Sequence, residues 1–163
     1  MRVASHLLMP RLVLNRRFPA STLKAIETAV SDSEKRHGAE IRFAIEVALD
    51  MRTLWRVPTV RDRALEVFTE LGVWNTAERN GVLIYVLLAE RQVEIIADHG
   101  LNGRVSEAEW REVCALIERQ FASGHWHDGA LRGIEAATAL LAREFPPTGG
   151  VDRNEQPDRP TIL

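Results

Sequence analysis

The stretch Gly81-Val-Leu-Ile-Tyr-Val-Leu-Leu-Ala89 is apolar throughout and is followed, after Glu90–Gln92, by Val93, Ile95 and Ala97 at every second position. An unbroken apolar run bounded by turn residues reads as a central strand covered on both faces. The short gap then predicts an antiparallel hairpin to a second strand. Upstream, Ile41, Phe43, Ile45, Val47 and Leu49 also recur with period two, with Arg42, Glu46 and Asp50 among the residues between them. That alternation predicts a strand with one more apolar face. Between it and the central strand, Pro58 opens and Gly72 closes a helical pattern that carries Val60, Ala64, Val67, Phe68 and Leu71. A strand, a crossover helix and a strand make a parallel pair, and the hairpin adds an antiparallel neighbour, so the sheet is small and mixed.

Three more helical patterns flank this unit. One follows Pro19, carries Leu23, Ile26 and Val30, and stops at Gly38. Another starts at Ser106-Glu-Ala-Glu109, the pattern of a capping box. It bears Trp110, Val113, Cys114, Ile117 and Phe121, and ends at Gly124. The last runs from Trp126 to Phe145, where Pro146-Pro147 end it. The order is therefore αβαββαα, and the expected architecture is an α/β three-layer sandwich. The folded domain spans residues 18–145. Residues 1–17 read as a basic N-terminal arm, because the first 26 residues hold Arg2, Arg11, Arg16, Arg17 and Lys24 and no acid. Pro10 and Arg11 interrupt its apolar stretch, which argues against a secretion signal. Residues 146–163, with four prolines and Gly149-Gly150, read as a disordered tail.

Composition excludes several function classes. With 163 residues, 45% of them hydrophobic, the chain can build one real core. A formal charge of -2 supplies no field for a polyanion, so nucleic acid is not an expected partner. No run approaches the length of a membrane span, and no stable membrane insertion is expected. The single Cys114 rules out an internal disulfide and a multi-cysteine metal site, and its place on an apolar face predicts an inert buried thiol. The chain lacks a Walker A loop, a G-x-G-x-x-G fingerprint, a G-x-S-x-G elbow and an H-E-x-x-H pair, so no organic cofactor is expected.

Candidate chemistry lies at one end of the hairpin. The start of the central strand and the exit of its antiparallel partner share a sheet end. The loop Thr76–Gly81 should therefore face the loop Asp98–Gly103, beside the helix start at Ser106. There Glu78, Asn80, Asp98, His99 and Asn102 could converge on a cation, or the helix start could hold an anion. Asn80-Gly81 and Asn102-Gly103 are also common turn formers, and by spacing alone that role outweighs ligation. His125-Trp-His127-Asp128 resembles a metal string, but two histidines one residue apart point about 200° apart on a helix. Asp128 is better read as complementing the dipole and capping the amides at the start of the last helix. Asp50, at the exit of the first strand, is a minor ligand-binding candidate.

Several of these strings, taken in order, resemble the TPM-domain family: Asn80-Gly-Val-Leu-Ile84, Arg91-Gln-Val-Glu-Ile95, Gly100-Leu101 and Gly124-His-Trp-His-Asp-Gly129. The likeness spans about residues 20–145. It implies an α/β sandwich in a family whose members are often secreted or membrane-tethered. A thylakoid member has been described as an acid phosphatase, and some members bind divalent cations such as calcium. Two positions depart from the family pattern. Arg79 stands where an acid commonly precedes Asn-Gly, with Glu78 one step back, and Asp98-His99-Gly100 replaces a glycine-aromatic-glycine string. The expectation is a short, cytoplasmic form without signal peptide or membrane anchor. It would act as a non-catalytic binding or accessory domain for an unidentified protein partner. Weak Ca2+ or Mg2+ binding would fall to Asp98, Glu78, Asn80 and Asn102. The alternative is a metal-assisted phosphatase acting on phosphomonoesters, with Glu78 and Asp98 holding the cation and the Ser106 helix start orienting phosphate.

Overall fold

The computed structural model describes residues 12–147 and 154–163. In chain order the elements are α1 (Leu12–Arg17), α2 (Ala20–Glu34), β1 (Glu40–Glu46), α3 (Met51–Arg56), α4 (Val60–Glu70), β2 (Gly81–Leu87) and β3 (Gln92–Ala97). A single 3-10 turn (His99–Leu101), α5 (Glu107–Ala122), α6 (Trp126–Glu144) and β4 (Thr161–Ile162) follow. The sheet order is β3-β2-β1-β4. β1 and β2 are parallel, from Glu40 opposite Gly81 to Glu46 opposite Leu87. β2 and β3 form the expected hairpin, from Leu87 opposite Gln92 to Val82 opposite Ala97. Among the described residues no helix is long and apolar enough to cross a membrane.

Period two sorts the side chains into two cores. On one face Ile41, Phe43, Ile45, Ile84, Val86 and Ile95 pack against α2, α5 and α6 through Ile26, Val30, Trp110, Ile117, Phe121 and Ile134. A Cβ on Gly133 of α6 would collide with Ile117 of α5, so glycine there lets the two helices approach closely. On the other face Ala44, Leu83, Tyr85, Leu87 and Ile96 meet Leu54, Ala64, Val67 and Phe68 of α3 and α4. The three layers are as expected. The less apolar face of β1 is covered as well. Glu46 lies beneath α4, where it accepts from Arg63 Nε (3.0 Å), Arg63 Nη2 (3.2 Å) and Tyr85 Oη (2.6 Å). These partners offset the desolvation of the carboxylate. They hold the Arg63 guanidinium in its charged form, while burial and the Glu46 charge push the Tyr85 hydroxyl above its ordinary value.

Three elements were absent from the expected order. Residues 12–17 of the basic arm form α1, while residues 1–11 lie outside the described residues. α3 has only six residues, too few for a recognisable stripe, and is held by its cap. The carboxylate of Asp50 accepts from Arg52 N, Thr53 N and Thr53 Oγ1, which also holds it below the usual carboxylate range. Composition suggests no structure for residues 146–163, yet residues 154–163 run along the open edge of β1. Ala44 and Ile45 pair with Thr161 and Ile162. Arg42 donates to Pro157 O (2.8 Å) and Thr161 Oγ1 (2.6 Å), and Leu163 N donates to Ile45 O (2.9 Å). Bonds to a sheet edge order a polar segment without burying much apolar surface, so apolar content underestimated it. Residues 148–153 lie outside the described residues.

Candidate functional site

The hairpin brings the two loops together. Asp98 N donates to Gly81 O (2.9 Å), extending the ladder by one step, and Gly100 N donates to Arg79 O (2.8 Å). A Cβ on Gly100 would lie 2.5 Å from both the Glu78 and the Arg79 carbonyl oxygens. Glycine is therefore required for this approach. Arg79 makes its own turn at φ 51, and its amide donates to Thr76 O (3.3 Å).

The four residues expected at a metal are placed unequally. Asp98 is 6% exposed. It caps the 3-10 turn by accepting from His99 N through Oδ1 (2.7 Å), whereas its Oδ2 is buried and, among the described residues, has no hydrogen-bond partner. Glu78 has an exposed side chain and contributes its main chain to the loop contact. Asn80 is buried, donates through its side-chain amide to Gly38 O and through its backbone to Thr76 Oγ1 (3.0 Å). It thereby ties the β2 start to the β1 start. Asn102 is exposed, with Nδ2 3.1 Å from His99 Nδ1. Its φ of -58 and ψ of 127, followed by Gly103 at φ 75, make a type II turn closed by Arg104 N to Leu101 O (3.1 Å). The turn-forming role thus applies to Asn102-Gly103. At Asn80-Gly81 the backbone turns at Arg79 instead, and Gly81 has no room for a Cβ against the Val73 carbonyl.

The charges around this end are largely engaged. Arg104 stacks over the Phe145 ring at 4.6 Å and donates to Glu144 O (3.2 Å), so its charge serves the C-terminus of α6. At the start of α5 the capping box forms as expected. Glu109 Oε2 accepts from Ser106 N and Ser106 Oγ, both at 2.8 Å, and Oε1 accepts from Arg143 Nη2 (2.8 Å). Those bonds hold the Glu109 carboxyl down to about 2. The positive end of α5 therefore already holds a carboxylate of the chain itself.

Elsewhere the readings divide. His125 is the N-cap residue of α6 and makes no side-chain cap bond. Asp128 sits in the first turn, where its charge faces the helix dipole as expected, but it makes no capping bond, which corrects the capping half of that expectation. His127 Nδ1 lies 3.2 Å from Thr22 Oγ1 of α2, so that ring joins two helices. Among the described residues no group of three or more His, Cys, Asp or Glu side chains is arranged to hold a metal. The Cys114 thiol is half-buried against the core, and burial, reinforced by Glu94 and Glu118, pushes it up to about 12. The side chain lies on the apolar face as expected, though it is half-buried and not fully enclosed.

One constellation was not read from the sequence. Ser33 Oγ lies 2.9 Å from His37 Nε2, and His37 Nδ1 accepts from Ala39 N (3.2 Å). With Nδ1 as acceptor, Nε2 carries the proton and donates to the serine, the reverse of what a nucleophile needs. Glu34 beside it accepts from Ile41 N (3.0 Å). The signal was available, since positions 33, 34 and 37 continue the Ile26–Val30 face, so polar side chains there had to be buried and paired.

The TPM domain family matches residues 16–140 of this chain. The NMR structure of the BA42 protein from the psychrophilic bacterium Bizionia argentinensis superposes with a TM-score of 0.77 at 35% identity, over 88% of this chain and 94% of that one. The solution structure of the N-terminal domain of a P. gingivalis protein superposes with a TM-score of 0.60 at 19% identity, over 77% of each chain, which shows a shared fold. No curated protein matches the chain.

Proposed function

The chain belongs to the TPM-domain family, and from that premise and the geometry of the two-loop end we propose a non-catalytic binding or accessory domain that takes a divalent cation weakly and assists a protein complex. One observation carries the cation site: Asp98 Oδ2 is buried without a partner among the described residues. An unsatisfied buried polar atom costs about 1–3 kcal/mol, and a carboxylate oxygen is the ligand that Ca2+ and Mg2+ favour. The Glu78 and Arg79 carbonyls packed on Gly100 are the other oxygens at hand. The Glu78 carboxylate and the Asn80 and Asn102 amide oxygens would complete the set on small side-chain movements. With two carboxylates and Arg79 adjacent, the affinity falls at the weak end for calcium modules, roughly 10⁻⁴–10⁻³ M.

A metal-assisted phosphatase is the less favoured reading. It would need a phosphate seat at Ser106, where Glu109 is already bonded. A Ser33 nucleophile would need His37 in the other tautomer. We propose the cytoplasm as the compartment, where a lone, unreactive thiol is at home. The test is a titration with calcium chloride and with magnesium chloride, followed by amide NMR. Shifts should centre on Asp98, Gly100 and Arg79, vanish in Asp98→Asn and persist in Asp50→Asn. Shifts confined to the Asp50 end, or none at millimolar cation, would overturn the cation site. Turnover of phosphomonoesters by metal-loaded protein, lost in Asp98→Asn, would overturn the non-catalytic reading.

A further inference from the structure

We infer that residues 154–163 are an intramolecular clamp that sets the geometry of the 72–80 loop, and through it the affinity of the two-loop end for a cation. Only that last step rests on the function proposed above. The segment lies C-terminal to the family match over residues 16–140. It is anchored twice on β1, by the β4 pairing and by the fork of Arg42 onto Pro157 O and Thr161 Oγ1. From there it does not stop at the sheet edge. Gln156, 6% exposed, receives the Glu40 carboxylate on its backbone amide (3.1 Å) and donates its side-chain amide to Gly72 O (3.0 Å). Glu155 Oε2 accepts from Ala77 N (2.8 Å).

These contacts grip the loop that carries Glu78 at two points. Gly72 is where the chain leaves α4 at φ 65, and Ala77 immediately precedes Glu78. The loop offers few grips of its own, because Trp74, Asn75, Ala77, Glu78 and Arg79 are all exposed. Its internal ties are Asn75 N to Gly72 O, Arg79 N to Thr76 O and Asn80 N to Thr76 Oγ1. Asn80 secures the far end of the loop to Gly38, and Glu155 and Gln156 add the bonds that tie its 72–77 stretch to the segment paired on β1. The Arg79 carbonyl that meets Gly100, and the Glu78 carbonyl beside it, inherit that position. A segment that merely covered a strand edge would confine its bonds to β1, whereas this one also reaches Gly72 and Ala77 beyond that edge.

Hydrogen exchange by NMR, first without any divalent cation, tests this with Glu155→Ala and with Glu155→Ala/Gln156→Ala. Exchange at the Ala77 and Gly100 amides should rise by about fivefold for each bond lost, while Ile134 in α6 stays unchanged. Glu155→Gln, which keeps an acceptor oxygen, should recover part of the protection. Unchanged exchange at Ala77 and Gly100 would overturn the clamp. So would an equal rise at Ile134 in Glu155→Ala, an exposed position whose loss should not unfold the domain, because the segment would then stabilise the whole fold. A calcium titration of the same variants should show Kd weakened by about the same factor. If the native chain takes up no calcium at millimolar concentration, the cation site falls, and the exchange result still decides the clamp.

Discussion

Replacing Arg63 with methionine removes the charge that makes Glu46 tolerable beneath α4. The two side chains are each 10% exposed and meet through two nitrogens, at 3.0 and 3.2 Å. This is the geometry of a buried pair, for which losing one partner costs about 3–5 kcal/mol, whereas a solvent-exposed pair is worth about 0–1 kcal/mol. Methionine fills much of the arginine stem's volume, so little of the cost arises from a cavity. Glu66 keeps Arg56 and Glu70 is half exposed, so their loss of Arg63 adds little. The cost lies in Glu46, left with Tyr85 Oη as its side-chain donor. For a domain of this size the expected fall in Tm is roughly 10–15 °C. Urea unfolding at pH 7 followed by circular dichroism would measure the loss of free energy, and a thermal scan the fall in Tm. The double variant Arg63→Met/Glu46→Gln should recover about 2 kcal/mol, because glutamine still accepts from Tyr85 and brings no buried charge. A single variant within about 0.5 kcal/mol of the native chain, or a strictly additive double, would show that the pair contributes nothing and refute the reasoning.

Gly100→Ala should cost about 1–3 kcal/mol, since the new Cβ would overlap two main-chain carbonyls; calorimetry showing no change would mean the loops part without penalty. Glu109 is held down to about 2 in the folded chain against an ordinary 4.5. Its contribution is thus fully present above about 4.5 and lost as pH falls toward 2, and Glu109→Gln should flatten the Tm-versus-pH curve in that window. Identical slopes for the two proteins would contradict it. The Cys114 thiol, pushed up to about 12, should react with iodoacetamide at pH 8 at least about a hundredfold more slowly in the native than in the unfolded chain. Equal rates would show an open, ordinary thiol.

Several elements could be read directly because their signals are local. The α5 capping box, the β2–β3 hairpin, the crossover through α4 and the stop at Pro146 each depend on residues within a few positions of one another. The meeting of the two loops was also legible, because it follows from antiparallel pairing alone. Asp98 was the best candidate at that end on charge, and burial distinguishes it further. What sequence could not show is which side chains were already engaged. Asn80 is committed to Gly38 and Asn102 to a turn and His99, while Asp128 caps nothing although its position invites a cap. In each case the competing partner lies on another element or depends on one backbone dihedral.

The sequence by itself determined the layers of this protein, because apolar period and turn chemistry act over short range and specify which faces must be buried. Tertiary structure alone decided the rest. It placed Glu46 opposite Arg63, seventeen residues away, and made a buried ion pair on the less apolar face of β1. It gave a proline-rich terminus a strand's place by offering it the unpaired edge of β1. It left one oxygen of Asp98 buried and, among the described residues, without a partner. Each of these is a balance between desolvation and a partner distant in the chain, and that balance is set only when the sheet and its helices close.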